Sequence, residues 1–515
     1  MKTRVSAYLA IFLGCSILGL TACASAPAGN QGGEALNASD PAMPAASPIP
    51  TQVATADPGP PETDPAPPLV AAGESSGLPM IAWNVRDRGF EIRLVDPATG
   101  QASNSIAPAA ISKIKSINLD SYQVARSDDG QQLGLVLYDG QTCTPFSGGT
   151  SCYPSGDHLI LVELQTGKFV EATLPVKGYV SQLAFNQDAS QLALVSGNRD
   201  GKELLLLDGR DGSLLAQRTL NFDPNLLSFS NPGQDLVLFG SPQVENPGVD
   251  QPAPPLVMVV DREKLNILWR ETLDDVLNGY WCVESCDSSH ELRLSASWSP
   301  AVLLSPDRDR LYVVHADGDA ISVADLAGHL VTSLQIHKRV SLFERLLALT
   351  AGVAHAKGGF EGATKNAVFS PDGSRLYIVG YQTTATPDPE YAWRSETKSL
   401  DLQVVDAETG ELVDERASKA EKVSISPDGS TLFLYGWRNN MPGYWTEVVD
   451  ANTLERKARL DGWEIKSVQD AAGKPVLVGA QPSEYSDKFA LIDPQSFQVL
   501  YSWTERTNAS WLVNP

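Results

Sequence analysis

The 515-residue chain has only six cysteines and six histidines, and no Lys or Arg at all between residues 24 and 78. It carries a formal charge of -23 and has no basic cluster, so the footprint that displaces counterions from nucleic acid is missing. Beyond the first two dozen residues no apolar run is long enough to cross a bilayer as a helix. There is no G-x-S-x-G elbow, no H-E-x-x-H and no P-loop. The histidines, at 158, 290, 315, 329, 337 and 355, share no spacing. These absences remove nucleic acid as a partner and remove the linear signatures of common enzymes. A site assembled from several separate strands stays open.

At the N-terminus, Lys2 and Arg4 precede "AYLAIFLGCSILGL", a run too short and too N-terminal for an ordinary spanning helix. It stops at "LTAC", Leu20 to Cys23. These residues resemble the lipobox of bacterial lipoproteins. The resemblance implies that residues 1–22 are a lipoprotein signal peptide and that Cys23 is acylated. It places the rest of the chain on the extracytoplasmic side of a bacterial envelope membrane. The competing reading is an ordinary secretory signal with an incidental cysteine. Residues 23–78 then read as the lipidated Cys followed by a tether. Their Ala, Pro, Gly, Ser and Thr cannot build a core, and Glu34, Asp40, Asp57, Glu62, Asp64 and Glu74 are acidic.

Cys143 with Cys152 and Cys282 with Cys286 are two close pairs, which in an exported chain reads as two small-loop disulfides. A four-Cys metal site is the rival. Neither pair has C-x-x-C spacing and no His stands beside either, so no metal is expected.

From residue 79 onward two phrases recur. "FSPDGSRLYIVG" (Phe369 to Gly380) and "ISPDGSTLFLYG" (Ile425 to Gly436) are the clearest of seven strand–turn–strand copies. A second phrase, strand–acidic turn–strand, has eight copies at Asp96, Glu163, Asp208, Asp261, Asp325, Asp406, Asp450 and Asp493. The undecorated spacings, 163 to 208, 406 to 450 and 450 to 493, are 45, 44 and 43 residues. Four short strands per period of that length point to an all-β, single β-propeller over residues 79–515. Eight four-stranded blades are expected, with seven as the alternative. The C-terminal "NASWLVNP" is expected to join the first blade and close the ring, which removes an exposed edge.

The phrases "SPDGxxLYV" and "VVDxxTGxxV" resemble bacterial YVTN and WD40-like propellers of the amine-dehydrogenase-heavy-chain-like type. A weaker likeness is to eight-bladed quinoprotein-like propellers. The Trp that usually follows the Thr-Gly turn there is absent in "GQASNS", "GKFVEA" and "GELVDE", and no adjacent Cys pair occurs, so no cofactor is expected.

Long insertions are expected on one face of the ring, where second strands meet third strands and where blades connect. They fall at 138–157, 240–255, 270–300, 337–365, 380–399 and 436–447. Loops on a rigid scaffold are where binding is usually built. Tyr391, Trp393, Arg394, Trp437, Arg438, Tyr444 and Trp445 come from adjacent blades and form either an aromatic binding platform or local core at the end of the ring. "RVSLFERLLALTAGVAHAKGG" reads as an amphipathic helix that packs on the ring or meets a partner. "HADGDA" (His315, Asp317, Asp319) reads as a hairpin turn rather than a metal loop. Arg126, Gln182, Lys365, Asn366 and Lys422 stand at inner-strand entrances, where they face a wet channel or a small anionic ligand.

Two functional classes result. The first is a non-catalytic, membrane-anchored module that binds a protein, peptide or glycan through the insertion-bearing face. The second is a lactonase-like, quinoprotein-like or amine-dehydrogenase-like propeller acting at the channel.

Overall fold

The computed structural model describes residues 80–85, 89–102, 123–146, 149–164, 166–174, 179–198, 201–231, 235–242, 254–282, 295–338, 360–388, 392–437, 444–469, 475–481, 487–505 and 509–511. All of these fall in one compact unit, and all their regular structure is β. Seven four-stranded antiparallel blades follow one another as a propeller. Their innermost strands are Gln123–Arg126 (blade 1), Tyr179–Phe185 (blade 2), Phe222–Phe229 (blade 3), Ala301–Leu304 (blade 4), Phe360–Phe369 (blade 5), Lys422–Ile425 (blade 6) and Glu464–Gln469 (blade 7). Of the two expected counts, the structure shows the seven-bladed alternative; among the described residues the eighth sheet has three strands.

That eighth sheet unites the two ends of the described chain. Met80–Val85 pairs on one side with Gly89–Leu94 and on the other with the C-terminal strand Ala509–Trp511. A further antiparallel bridge, Val95 to Ala102, sits beyond its outer strand. Val95 packs with Val478, Phe489 and Leu491 of blade 7. The strand pairing expected from "NASWLVNP" is therefore present.

The repeated acidic turn has one physical origin in all eight sheets. A carboxylate at its start accepts hydrogen bonds from groups two or three residues on, and Asp406 does so from the N–H groups of both Glu408 (3.1 Å) and Thr409 (2.8 Å). The residue four places after the carboxylate is then left-handed, at φ between 53° and 73°. Gly100, Gly167, Gly212 and Gly410 take this conformation without strain, while Leu265, His329, Leu454 and Phe497 hold it despite a side chain.

The first phrase forms the turn between the inner and second strands, on the same face as the acidic turn, to which it is tied by bonds such as Ala407 N to Ser374 O at 3.0 Å. Ser370 Oγ accepts from Arg375 N at 2.9 Å and Ser426 Oγ from Thr431 N at 3.0 Å, closing each loop. Pro371 of blade 5 lies directly under Gly429 of blade 6, so consecutive copies pack on one another. At this same end Arg308 of blade 4 reaches Asp128 of blade 1, 2.6 Å between Nη2 and Oδ1.

These turns make the fold acid-sensitive. Hydrogen bonds from Ser370 and Ser374 hold Asp372 below the ordinary carboxylate pKa, bonds from Thr409 do so for Asp406, and Lys457 with Thr453 brings Asp450 to about 2. A carboxylate whose folded pKa is depressed stabilises the fold above its unfolded value, near 3.9, and loses that contribution as pH falls through the folded value. The melting temperature is therefore expected to decline between about pH 4 and pH 2. Asp450→Asn, which keeps a backbone acceptor but loses the charge facing Lys457, should show a shallower decline by circular dichroism. Burial of Glu421 works in the opposite direction, because it raises that group's pKa.

Two hairpins extend well beyond their blades. Gln132–Phe146 and Gly149–Glu163 of blade 1 stay paired out to Phe146 and Gly149, and Arg375–Asp388 with Ala392–Asp406 of blade 5 out to Asp388 and Ala392. The blade 1 arm carries eight residue pairs beyond Leu137 and His158, roughly 26 Å of ribbon, whereas in blade 5 the inner strand stays paired with the second as far as Ala385 and three pairs lie beyond it. Both join second to third strands, so they leave from the same face of the ring.

Candidate functional site

The site begins with a register. In blades 3, 4, 5 and 6 the inner strand runs into a turn serine, at 230, 305, 370 and 426. Five and four residues before that serine stand Asn225 and Leu226, Pro300 and Ala301, Lys365 and Asn366, and Glu421 and Lys422. All eight line one cavity of about 240 Å³. It lies at the start of the inner strands and therefore opens on the face that carries the arms. Because each blade repeats the same geometry, each delivers the same two positions to the rim.

Local distortions complete it. In blade 3 the ladder slips between Pro224 and Leu226, a bulge that sets Asn225 apart from the pairing. The insertion between blades 3 and 4 returns as Ser295–Ser299, which pairs in parallel with the inner strand of blade 5 (Trp298 with Ala363, Ser299 with Thr364). Ser299 and Thr364 both line the cavity, so this insertion builds part of its wall. In blade 5 Gly380 is the register partner of Lys365 and Tyr381 follows it into the lining.

The ionisable groups of the cavity are distinctive. Lys365 is 8% exposed, and its Nζ donates to the Gly318 carbonyl at 2.6 Å. Burial lowers its pKa, against which the carboxylates of Asp319 and Asp317 act. Glu421 is pushed up by burial, with Lys422 opposing. Lys422 Nζ lies 5.7 Å from the centre of the Tyr435 ring, and burial raises that phenol's pKa well above its ordinary value. Asn366 Oδ1 accepts from Val423 N at 2.8 Å, leaving its amide N–H groups for another acceptor. Ionisable groups perturbed by burial and gathered in one cleft mark a candidate functional site.

Of the five channel residues read from the sequence, Lys365, Asn366 and Lys422 meet here. Gln182 occupies the Asn366 register in blade 2 but does not line the cavity. Arg126 is placed elsewhere: it immediately precedes its turn serine, at the far end of the inner strand, and its guanidinium donates to Gly130 O at 3.2 Å. The sequence reading missed Glu421, Asn225, Ser299 and Tyr381. For Glu421 and Asn225 the available signal was their alignment with Lys365, five residues before the turn serine.

The aromatic group divides. Trp437 is 49% exposed and is the register partner of Tyr444, whose ring stacks on Tyr435 at 5.7 Å. Trp445 is not on that surface: it is 4% exposed and sits in the core between blades 5 and 6. Successive strand residues point to opposite faces, so Tyr444 and Trp445 cannot share one. Trp393 and Arg394 lie in the blade 5 arm, opposite Pro387 and Thr386. Tyr391 and Arg438 fall outside the described residues, as do Cys23, Cys286 and the helix expected from "RVSLFERLLALTAGVAHAKGG". Cys143 and Cys152 are direct register partners in the blade 1 arm. His315 is buried, bonded through Nε2 to Ser322 Oγ at 2.8 Å, and Asp317 and Asp319 are exposed in the turn beside it. Among the described residues no group of three or more His, Cys, Asp or Glu is placed to hold a metal, and no helix is long and apolar enough to cross a membrane.

No protein-family model matches the chain, and no curated protein sequence does. Among solved structures, the dihydro-heme d1 dehydrogenase NirN in complex with DHE aligns at 12% identity over 86% of this chain and 77% of that one, with a TM-score of 0.48. A eukaryotic initiation factor aligns at 13% identity over 87% and 90%, with a TM-score of 0.44. A protein from Lactobacillus plantarum aligns at 9% identity over 75% and 96%, with a TM-score of 0.38.

Proposed function

We propose that this chain is a lipid-anchored, extracytoplasmic binding protein whose ligand seats in the channel-mouth cavity on the insertion-bearing face. The observation that carries this is the convergence of one register position from four consecutive blades on a single cavity whose lysine and glutamate both have pKa values shifted by burial. A volume near 240 Å³ is about that of eight water molecules, which suits a small molecule rather than a polymer. The two arms favour a second reading, in which a protein, peptide or glycan is gripped between them. The direct pairing of Cys143 with Cys152 in the blade 1 arm is the register a cross-strand disulfide requires. Such a bond would pin a ribbon that has no third strand, and non-reducing peptide mapping reads it.

The test uses full-length protein extracted from the membranes of a bacterial expression host in detergent. Native mass spectrometry should show a small-molecule adduct on the wild type. Asn225→Trp, which fills the cavity from an exposed position, should abolish it while leaving the circular dichroism spectrum intact. An adduct that persists in Asn225→Trp, or no adduct at all, overturns the cavity as the binding site. Cys23→Ser should move the chain from the membrane to the soluble fraction, and retention in the membrane would overturn the anchor.

A further inference from the structure

Resting on that site, we propose that the cavity selects a small organic carboxylate, held at one end by Lys365 and Lys422 and packed at the other against an apolar wall. The chain carries 62 acidic and 39 basic side chains. Elsewhere Lys202 finds Asp223 at 3.1 Å and Lys457 finds Asp450 at 3.0 Å. Lys365 and Lys422 do not: among the described residues neither amine has a carboxylate within ion-pair distance, and both line one cavity. Lys365 uses one of its three N–H donors on Gly318 O, and Lys422 faces a ring. Both therefore retain donors for an incoming acceptor.

Three features narrow the class. Among the described lining residues, two amines stand against the single carboxylate of Glu421, a formal charge of plus one. Leu226, Ala301, Val302 and Ala367 supply an apolar wall, which a bare inorganic anion would leave unsatisfied. Among the described residues the lining also lacks arginine, whose fork is the usual partner of phosphate. A carboxylate on an apolar or ring-shaped body meets all three.

The experiment measures thermal shifts of the full-length protein against monocarboxylates, each paired with its primary amide, with benzoate and benzamide as the first pair and inorganic phosphate as a separate arm. At least one carboxylate should raise the melting temperature while its amide does not. Its affinity should fall tenfold or more in Lys422→Gln and be largely kept in Lys422→Arg. Lys422 is chosen over Lys365 because it is the less buried of the two. Equal shifts from acid and amide, a phosphate effect larger than any carboxylate's, a carboxylate effect that survives in Lys422→Gln, or no shift from any pair would each overturn the inference. The two proposals fail separately. A neutral adduct that disappears in Asn225→Trp keeps the site and removes the carboxylate, whereas binding untouched by Asn225→Trp removes the site itself.

Discussion

Trp445→Ala is expected to destabilise the propeller by about 3–5 kcal/mol, whereas Trp437→Ala should cost under about 1 kcal/mol. The two tryptophans sit on strands paired with each other and read alike in sequence, yet Trp445 is 4% exposed and Trp437 is 49% exposed. The Trp445 ring packs with Val379, Leu402, Leu434 and Val449, and Arg459 lies over it at 4.8 Å from the ring centre. Removing the ring leaves a cavity between two blades that neither strand can close alone, because each is held by its own sheet. Urea unfolding of the full-length protein, followed by tryptophan fluorescence and circular dichroism, measures both. Equal losses for the two variants would contradict the division into a core ring and a surface ring. The result also bears on function, since any partner lost in Trp445→Ala would be lost through the fold, whereas Trp437→Ala tests the surface directly.

Gly380→Ala is expected to cost about 3 kcal/mol, at the upper end for overpacking, and to abolish ligand binding at the channel mouth. A methyl group there would lie 2.1 Å from the Thr364 carbonyl oxygen and 3.0 Å from Lys365 Cα, both in the inner strand that carries the cavity's buried amine. The obstacle is backbone, so no rotamer change relieves it, and the strand must move away. Gly436 shows the same need in blade 6, where a methyl group would meet the Trp445 ring at 2.3 Å. Gly318 is the matched control. It accepts Lys365 through its carbonyl, but a methyl group there would meet nothing within 4 Å. Gly318→Ala should therefore change stability by less than about 0.5 kcal/mol and preserve binding. A Gly380→Ala protein with wild-type melting temperature would mean that the inner strand is not held against its neighbour as described.

Much of this was legible in the linear chain. The eight acidic turns were countable because each needs a carboxylate at its start and a left-handed residue four places on, and those requirements leave residues behind. The closing strand was legible because "NASWLVNP" repeats an inner-strand pattern without the turn that should follow. The arms were legible only as insertions. That they are paired ribbons is a matter of backbone hydrogen bonding between residues with no obvious alternation, such as "DGQTCTPF" and "GTSCYPSG".

By itself, then, the sequence determined the repeat, the architecture and the face on which variation gathers, because those depend on local turn chemistry and strand alternation that recur in every blade. Only the tertiary structure decided which residues share a site. Asn225, Pro300, Lys365 and Glu421 have little in common as residue types and span nearly two hundred positions, and they meet because four inner strands converge on one axis in equivalent register. Only packing, likewise, separated Trp445 from Trp437. A strand places neighbours on opposite faces, but which face is core depends on what the next blade brings against it.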